Sequence, residues 1–313
     1  MKGSQAKISQ FQEAPLQAPF GRMVTAMVTP FDDKLEVDLG RSRELAQRLV
    51  AQGNDSLVVC GTTGESPTLS KDEKKSLFRA VREALPPAHK VIAGTGSNDT
   101  RATIELSKAA ADCGADGLLL VSPYYNKPTQ DMQRRHFLEV AEATTLPIML
   151  YNIPGRTGVE ISPETLLRLA EHPRIVAVKQ SLPDVDPVSD LAARVAQTPG
   201  ASMVNYSGDD THTLSILSAG GVGVVSVSGH LVGPQMKQMI EAFEAGRVDE
   251  ARQLHLRLFP LMKGLFTTTN PVLVKAGLKL VGFPVGGLRP PIYAASLAEE
   301  ESLRPLLADL GLL

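Results

Sequence analysis

Eight short apolar runs, each followed by a longer amphipathic segment, organise this chain from residue 23 to about residue 246. They occupy 23–29, 56–60, 90–94, 117–121, 147–151, 174–178, 202–206 and 222–227. Each is nearly continuous in apolar residues, the pattern of a parallel strand covered on both faces. The intervening segments carry helix signals. Residues 38–52 place Leu39, Leu45, Leu49 and Val50 on one helical stripe. Ser70 with Glu73 forms a capping box, and Ser162-Pro163 is a cap followed by proline at the first helical position. Ala109 to Ala111 run into Cys113-Gly114, a helix with a glycine stop. Eight strand–helix units in this order predict an α/β chain folded as a (β/α)8 TIM barrel. A doubly wound open sheet is the alternative, but no GxGxxG follows the first strand.

Beyond residue 246 the strand signal stops, and 247–313 reads as a C-terminal helical appendage broken at Asn270-Pro271 and around 282–291. Residues 1–20 lack the apolar centre of a secretory signal and read as a flexible tail. The expected division is therefore a tail at 1–20, a catalytic barrel at 21–246 and a helical region at 247–313.

A net charge of −2 gives no electrostatic footing for nucleic acid or an anionic membrane. No apolar run approaches a membrane span. The two cysteines, Cys60 and Cys113, lie in apolar stretches and suggest no disulfide framework. A reducing, cytoplasmic setting is expected.

In such a barrel the site is built where the strands end at their carboxyl side. Strand two runs into Gly61-Thr62-Thr63-Gly64-Glu65-Ser66, strand four into Tyr124-Tyr125, strand five into Tyr151 and the turn around Arg156, and strand seven into Ser207-Gly208. Strand six ends at Lys179, directly after four apolar residues. A lysine there is poorly hydrated, which disfavours its charged form and frees the amine to attack a ketone. A lysine that snorkels or pairs with a carboxylate is the plainer alternative. The hydroxyls of Thr62, Thr63, Tyr125 and Tyr151 around it favour the chemical reading, because imine formation needs several proton transfers. Each has a plainer role open to it: Tyr151 as a core residue, the threonines as turn residues. Arg156 offers a planar fork for a carboxylate, or is a surface arginine in a loop. Gly61 and Gly64 permit close approach of backbone amides to an anion. Asp209, Asp210 and His212 form the densest acidic-histidine cluster, which is expected to brace the next helix start rather than bind metal. Cys60 has no histidine to activate it and is expected to be a small buried residue.

Taken together, GTTGES at 61–66, PYYNKP at 123–128, YNIPGRTG at 151–158, VAVK at 176–179, SGDD at 207–210 and GVVSV at 223–227 resemble the 4-hydroxy-tetrahydrodipicolinate synthase (dihydrodipicolinate synthase) family. The resemblance covers residues 21 to 310. It implies condensation of pyruvate with L-aspartate 4-semialdehyde on the route to diaminopimelate and lysine. It implies Lys179 as the imine-forming lysine, Tyr151 as proton donor, and Thr62 and Tyr125 as relay partners, with Tyr125 supplied by the adjoining subunit. Thr63 and Val225 would hold pyruvate, Arg156 would receive the semialdehyde's carboxylate, and Gly208 would belong to the substrate-binding set. It further implies a homotetramer of tight dimers with neither metal nor organic cofactor.

Two departures stand out. Gln180 follows Lys179 where the family commonly has glutamate, and its loop is expected to alter the surroundings of the nucleophile. Lys71 and Ala102 stand where the family's lysine-effector pocket often carries histidine and glutamate, so feedback inhibition by lysine is expected to be weak or absent. Rival readings are a sister aldolase for N-acetylneuraminate or a 2-keto-3-deoxy sugar acid, a metal-dependent aldolase, and a non-catalytic barrel.

Overall fold

The protein is described by a computed structural model covering residues 17–313. Its strands are β1 Met23–Ala26, β2 Ser56–Val59, β3 Lys90–Gly94, β4 Gly117–Val121, β5 Ile148–Asn152, β6 Ile175–Gln180, β7 Val204–Ser207 and β8 Gly223–Ser226. They pair in parallel in sequence order, and β1 closes on β8 with Val24 opposite Val225. Closure leaves no sheet edge. The expected barrel is the observed one.

The near-continuous apolar runs follow from this closure. Successive side chains of each strand enter two different cores. On β6, Ala177 joins the cluster inside the barrel, and Val178 joins the larger one between strands and helices. On β5, Met149 and Tyr151 point inward while Ile148 and Leu150 point out.

The helices start where the sequence signals them. Leu39–Ala51 is capped by Asp38, whose carboxylate accepts from the Arg41 amide at 2.8 Å. Lys71–Ala84 opens with the Ser70–Glu73 capping box. The helix Gly229–Glu244 follows β8 and packs against Val248–Gly264. Two further helices, Val272–Leu280 and Leu297–Ala308, complete the C-terminal region. No described helix is long and apolar enough to cross a membrane.

Residues 1–16 of the expected tail lie outside the described residues. Its far end is not a tail: Phe20 is fully buried in the amino-terminal face of the barrel. The Phe20 amide donates to the Tyr206 hydroxyl at 3.2 Å, and that hydroxyl donates to the Gly21 carbonyl at 2.8 Å. The ring fills space beside Gly117, where a methyl group would collide with it. Burying a phenylalanine ring stabilises by roughly 2–3 kcal/mol, so one aromatic residue outweighs the polar character of the segment before it.

His230 is fully buried and links the two ends of the barrel seam. Its Nε2 accepts from the Val28 amide at 3.1 Å and its Nδ1 faces the Val227 carbonyl at 2.8 Å. Both contacts suit a neutral ring, and burial holds the pKa down to about 4. An unfolded histidine binds its proton near pH 6.5, so between about pH 6.5 and 4 the unfolded state takes up a proton that the folded state refuses. Stability is complete above that window and falls as pH drops through it, by up to about 3 kcal/mol. Melting temperatures from pH 7 to 4 should show the fall, and His230→Gln should make it shallower, with buried His136, also held down at about 4, supplying part of what remains. An unchanged slope in that variant would place the acid sensitivity elsewhere.

Candidate active site

The alternation of β6 that turns Val178 outward turns Lys179 inward. Lys179 pairs in register with Tyr151 on β5 and Tyr206 on β7, both members of the inner cluster. Lys179 and Tyr151 are each 5% exposed. The Lys179 Nζ lies 4.3 Å from the centre of the Tyr151 ring. Five per cent exposure decides against a snorkelling lysine, and no carboxylate pairs with it among the described residues.

Tyr151 also lines a cavity of about 500 Å3 at the carboxyl ends of the strands, together with Thr62, Tyr124, Ile153 and Arg156. The Thr62 turn is tightly made. Cys60 and Glu65, at its two ends, adopt left-handed φ values of 58° and 56°. Side chains other than glycine adopt these values only where surroundings enforce them. Within the turn, the Gly64 and Ser66 amides donate to the Gly61 carbonyl and the Glu65 amide to the Thr62 carbonyl. The Gly64, Glu65 and Ser66 amides are thus spent inside the turn, so an anion contact from this turn would fall to its other amides. Burial pushes the Cys60 thiol up to about 12, which fits an inert packing residue.

Arg156 is exposed at the cavity mouth on the single helical turn Pro154–Thr157. Thr63 is buried, and Val225 is fully buried inside the barrel on β8. Gly208 lies against the lysine: its amide donates to the Gln180 carbonyl at 2.7 Å, and a methyl there would stand 2.9 Å from Lys179 Cε. Tyr125 is the exception. It is 89% exposed with a left-handed φ of 72°, and one chain alone does not bring it to Tyr151.

The Gln180 side chain does not flank the lysine in space. It faces outward from the barrel, where it accepts from Asn152 Nδ2 at 3.0 Å and donates to Asn205 Oδ1 at 3.5 Å. All three amides are buried. Strand alternation turns the Gln180 side chain away from the lysine, because neighbours in sequence occupy opposite faces, while Ser181 and the Gln180 carbonyl remain beside Gly208 at the lysine stem. The bracing role expected of the acidic pair is observed. Asp209 caps the 3-10 turn Asp210–His212, and Asp210 Oδ2 accepts from the Val227 amide and from the amide and hydroxyl of Ser228.

Sequence reading missed the polar residues behind the turn. Asn270 Nδ2 donates to Thr63 Oγ1 at 2.8 Å across 207 positions of sequence. Lys275 Nζ pairs with Glu65 Oε1 at 2.6 Å, their side chains 2% and 1% exposed. Burial pushes Lys275 down to about 8, with Glu65 opposing the shift. Arg289 pairs with Glu73 and holds its carboxyl down at about 2. The break at Asn270-Pro271 and the lysine within an otherwise apolar helix were the available signals, but neither names a partner.

A closed (β/α)8 barrel with a buried lysine on β6 beside a cavity-lining tyrosine defines the class: a barrel enzyme of the lyase type. The particular family follows from comparison. The profile of the dihydrodipicolinate synthetase family matches residues 19–310, and the chain belongs to that family. A 4-hydroxy-tetrahydrodipicolinate synthase of Heliobacterium modesticaldum is 55% identical over 94% of this chain and 96% of its own. One from a Cyanothece species is 52% identical over 94% of this chain and 99% of its own. The crystal structure of the Cyanidioschyzon merolae enzyme with lysine bound superposes with a TM-score of 0.91 at 45% identity, covering 95% of this chain and all of that one.

Proposed function

We propose that this protein is a 4-hydroxy-tetrahydrodipicolinate synthase that condenses pyruvate with L-aspartate 4-semialdehyde through an imine on Lys179. The observation that carries the reading is the Lys179 amine, enclosed in the barrel 4.3 Å from the Tyr151 ring. The amine adds to the pyruvate ketone, and loss of water gives the imine. Removal of a methyl proton gives an enamine, whose carbon attacks the aldehyde. The substrate's own amine then closes the ring and displaces Lys179. Tyr151 and Thr62 border the cavity and are suited to move these protons. Gly208 stands against the lysine stem, Val225 belongs to the inner cluster with Tyr151, and Thr63 lies beside Thr62; these are suited to hold the keto acid, and Arg156 at the mouth suits the semialdehyde's carboxylate. The names of the relatives favour the synthase over the sister aldolases. Pyruvate with borohydride should fix a reduced adduct, and peptide mass mapping should find it on Lys179. An adduct elsewhere, or none, would refute the assignment.

Tyr125 completes the proton relay from the adjoining subunit of a tight dimer, a role that its exposure and left-handed backbone support. Leu256, Phe259 and Phe266 are exposed on and just after the helix Val248–Gly264, which supports the C-terminal region 247–313 as the further contact of a tetramer working in the cytoplasm.

Inhibition of this enzyme by lysine is expected to be weak or absent. Lys71 borders the cavity and is already paired with Glu105 at 2.8 Å. Lys74 adds a second cation, and Ala102 brings no acid. The one carboxylate lining the cavity, Glu105, is taken up by Lys71, so a cationic effector finds no free acid among the lining side chains. A complete inhibition curve at submillimolar lysine would overturn this.

A further inference from the structure

The Thr62–Thr63 turn is built by the barrel but braced from the far end of the chain. Glu65, two residues after Thr63, carries the strained φ of 56°. Its side chain is committed to residues beyond the barrel: one carboxylate oxygen pairs with Lys275 at 2.6 Å, and the other accepts from the Arg289 amide at 3.0 Å. Lys275 is itself fixed. It donates to the Gly287 carbonyl at 2.7 Å and lies 4.4 Å from the centre of the Phe31 ring. Between Thr63 and Glu65, the Gly64 carbonyl accepts from Thr29 Oγ1 at 2.6 Å. A buried ion pair is a weak source of net stability, because desolvation cancels most of the attraction. Its geometric effect does not cancel: it dictates where the glutamate backbone stands.

Asn270 acts on the threonine itself. Its Nδ2 donates to Thr63 Oγ1 at 2.8 Å. A hydroxyl that accepts from an amide keeps its own proton free to donate. The bond therefore fixes Thr63 as a donor, the polarity that a carboxylate requires.

We infer that Asn270, Glu65 and Lys275 are positioning residues that hold the Thr63 hydroxyl, as a hydrogen-bond donor, at the carboxylate of the keto acid. The inference rests on the functional reading above, in which Thr63 binds pyruvate. None of the three residues need touch the substrate. The C-terminal region thereby contributes to substrate affinity as well as to packing.

The test is steady-state kinetics of the full chain with pyruvate varied, joined to borohydride trapping. Asn270→Ala should raise the pyruvate KM about tenfold. Trapping on Lys179 should still reach completion at saturating pyruvate, because the amine is untouched. In a Thr63→Val background the same substitution should change KM less than twofold, since its target is gone. Asn270→Asp, which accepts the threonine proton instead of leaving it free, should be at least as damaging as alanine. Lys275→Met strands a buried carboxylate and can fail to fold. The double variant Glu65→Gln with Lys275→Met removes both charges and should fold with a raised pyruvate KM. A folded Asn270→Ala protein with KM within twofold of the parent would overturn the inference. So would Asn270 and Thr63 effects that simply multiply. Absence of any Lys179 adduct in the unsubstituted protein would instead refute the functional reading, and this inference with it.

Discussion

Lys179→Ala is expected to lower turnover by at least about 10,000-fold while leaving the fold intact, because the covalent step has no substitute nucleophile at that place. Two other amines deserve comparison. Lys275 is buried but tied to Glu65 and the Gly287 carbonyl. Lys74 borders the same cavity and is half-buried, so it is the competing candidate for an adduct. Geometry separates them: Lys179 alone stands against the Tyr151 ring. Lys179→Arg should fail equally, since a guanidinium keeps the charge but cannot form the imine. Turnover and trapped adduct should vanish together in both variants. Persistence of either at near-normal level in the alanine variant would move the chemistry to another residue.

The second large effect is expected at Gly208. A methyl group there would overlap Ser181 Oγ, and it would stand 2.9 Å from Lys179 Cε and 3.0 Å from the Gln180 carbonyl oxygen. The serine hydroxyl can rotate away, but the carbonyl belongs to a paired strand and cannot. The lysine stem is then what gives. Displacement of a reacting group by about 1 Å costs about 100-fold in rate, and that is the loss expected in kcat for Gly208→Ala. The rate of pyruvate-dependent trapping should fall with it, since the amine is the group displaced. Normal trapping with a slow overall reaction would place the damage at the second substrate instead.

The barrel was legible because its strands obey a local rule. A strand buried on both faces reads as an unbroken apolar run, and eight of them matched the eight observed. The capping signals at Ser70 and Asp209 are also local, and both are observed. Lys179 was legible for the same reason, as a charge that interrupts an apolar run. The turn's bracing was not. Asn270 lies 207 residues from Thr63, and nothing in either neighbourhood encodes the other. Gln180 marks a different limit. Its outward direction was available from strand alternation, and reading it beside Lys179 in sequence obscured that. Phe20 shows a third limit: polar neighbours in sequence masked a ring whose burial places residue 20 with the barrel rather than with the tail.

Phe20 and the Tyr206 hydroxyl plug the amino-terminal end of the barrel. The cavity that Tyr151 lines lies at the opposite end, where Arg156 stands exposed, so traffic to the amine is expected on the carboxyl side of the strands. A keto acid bonded to the 5% exposed lysine would therefore lie deeper than a partner held at the exposed Arg156.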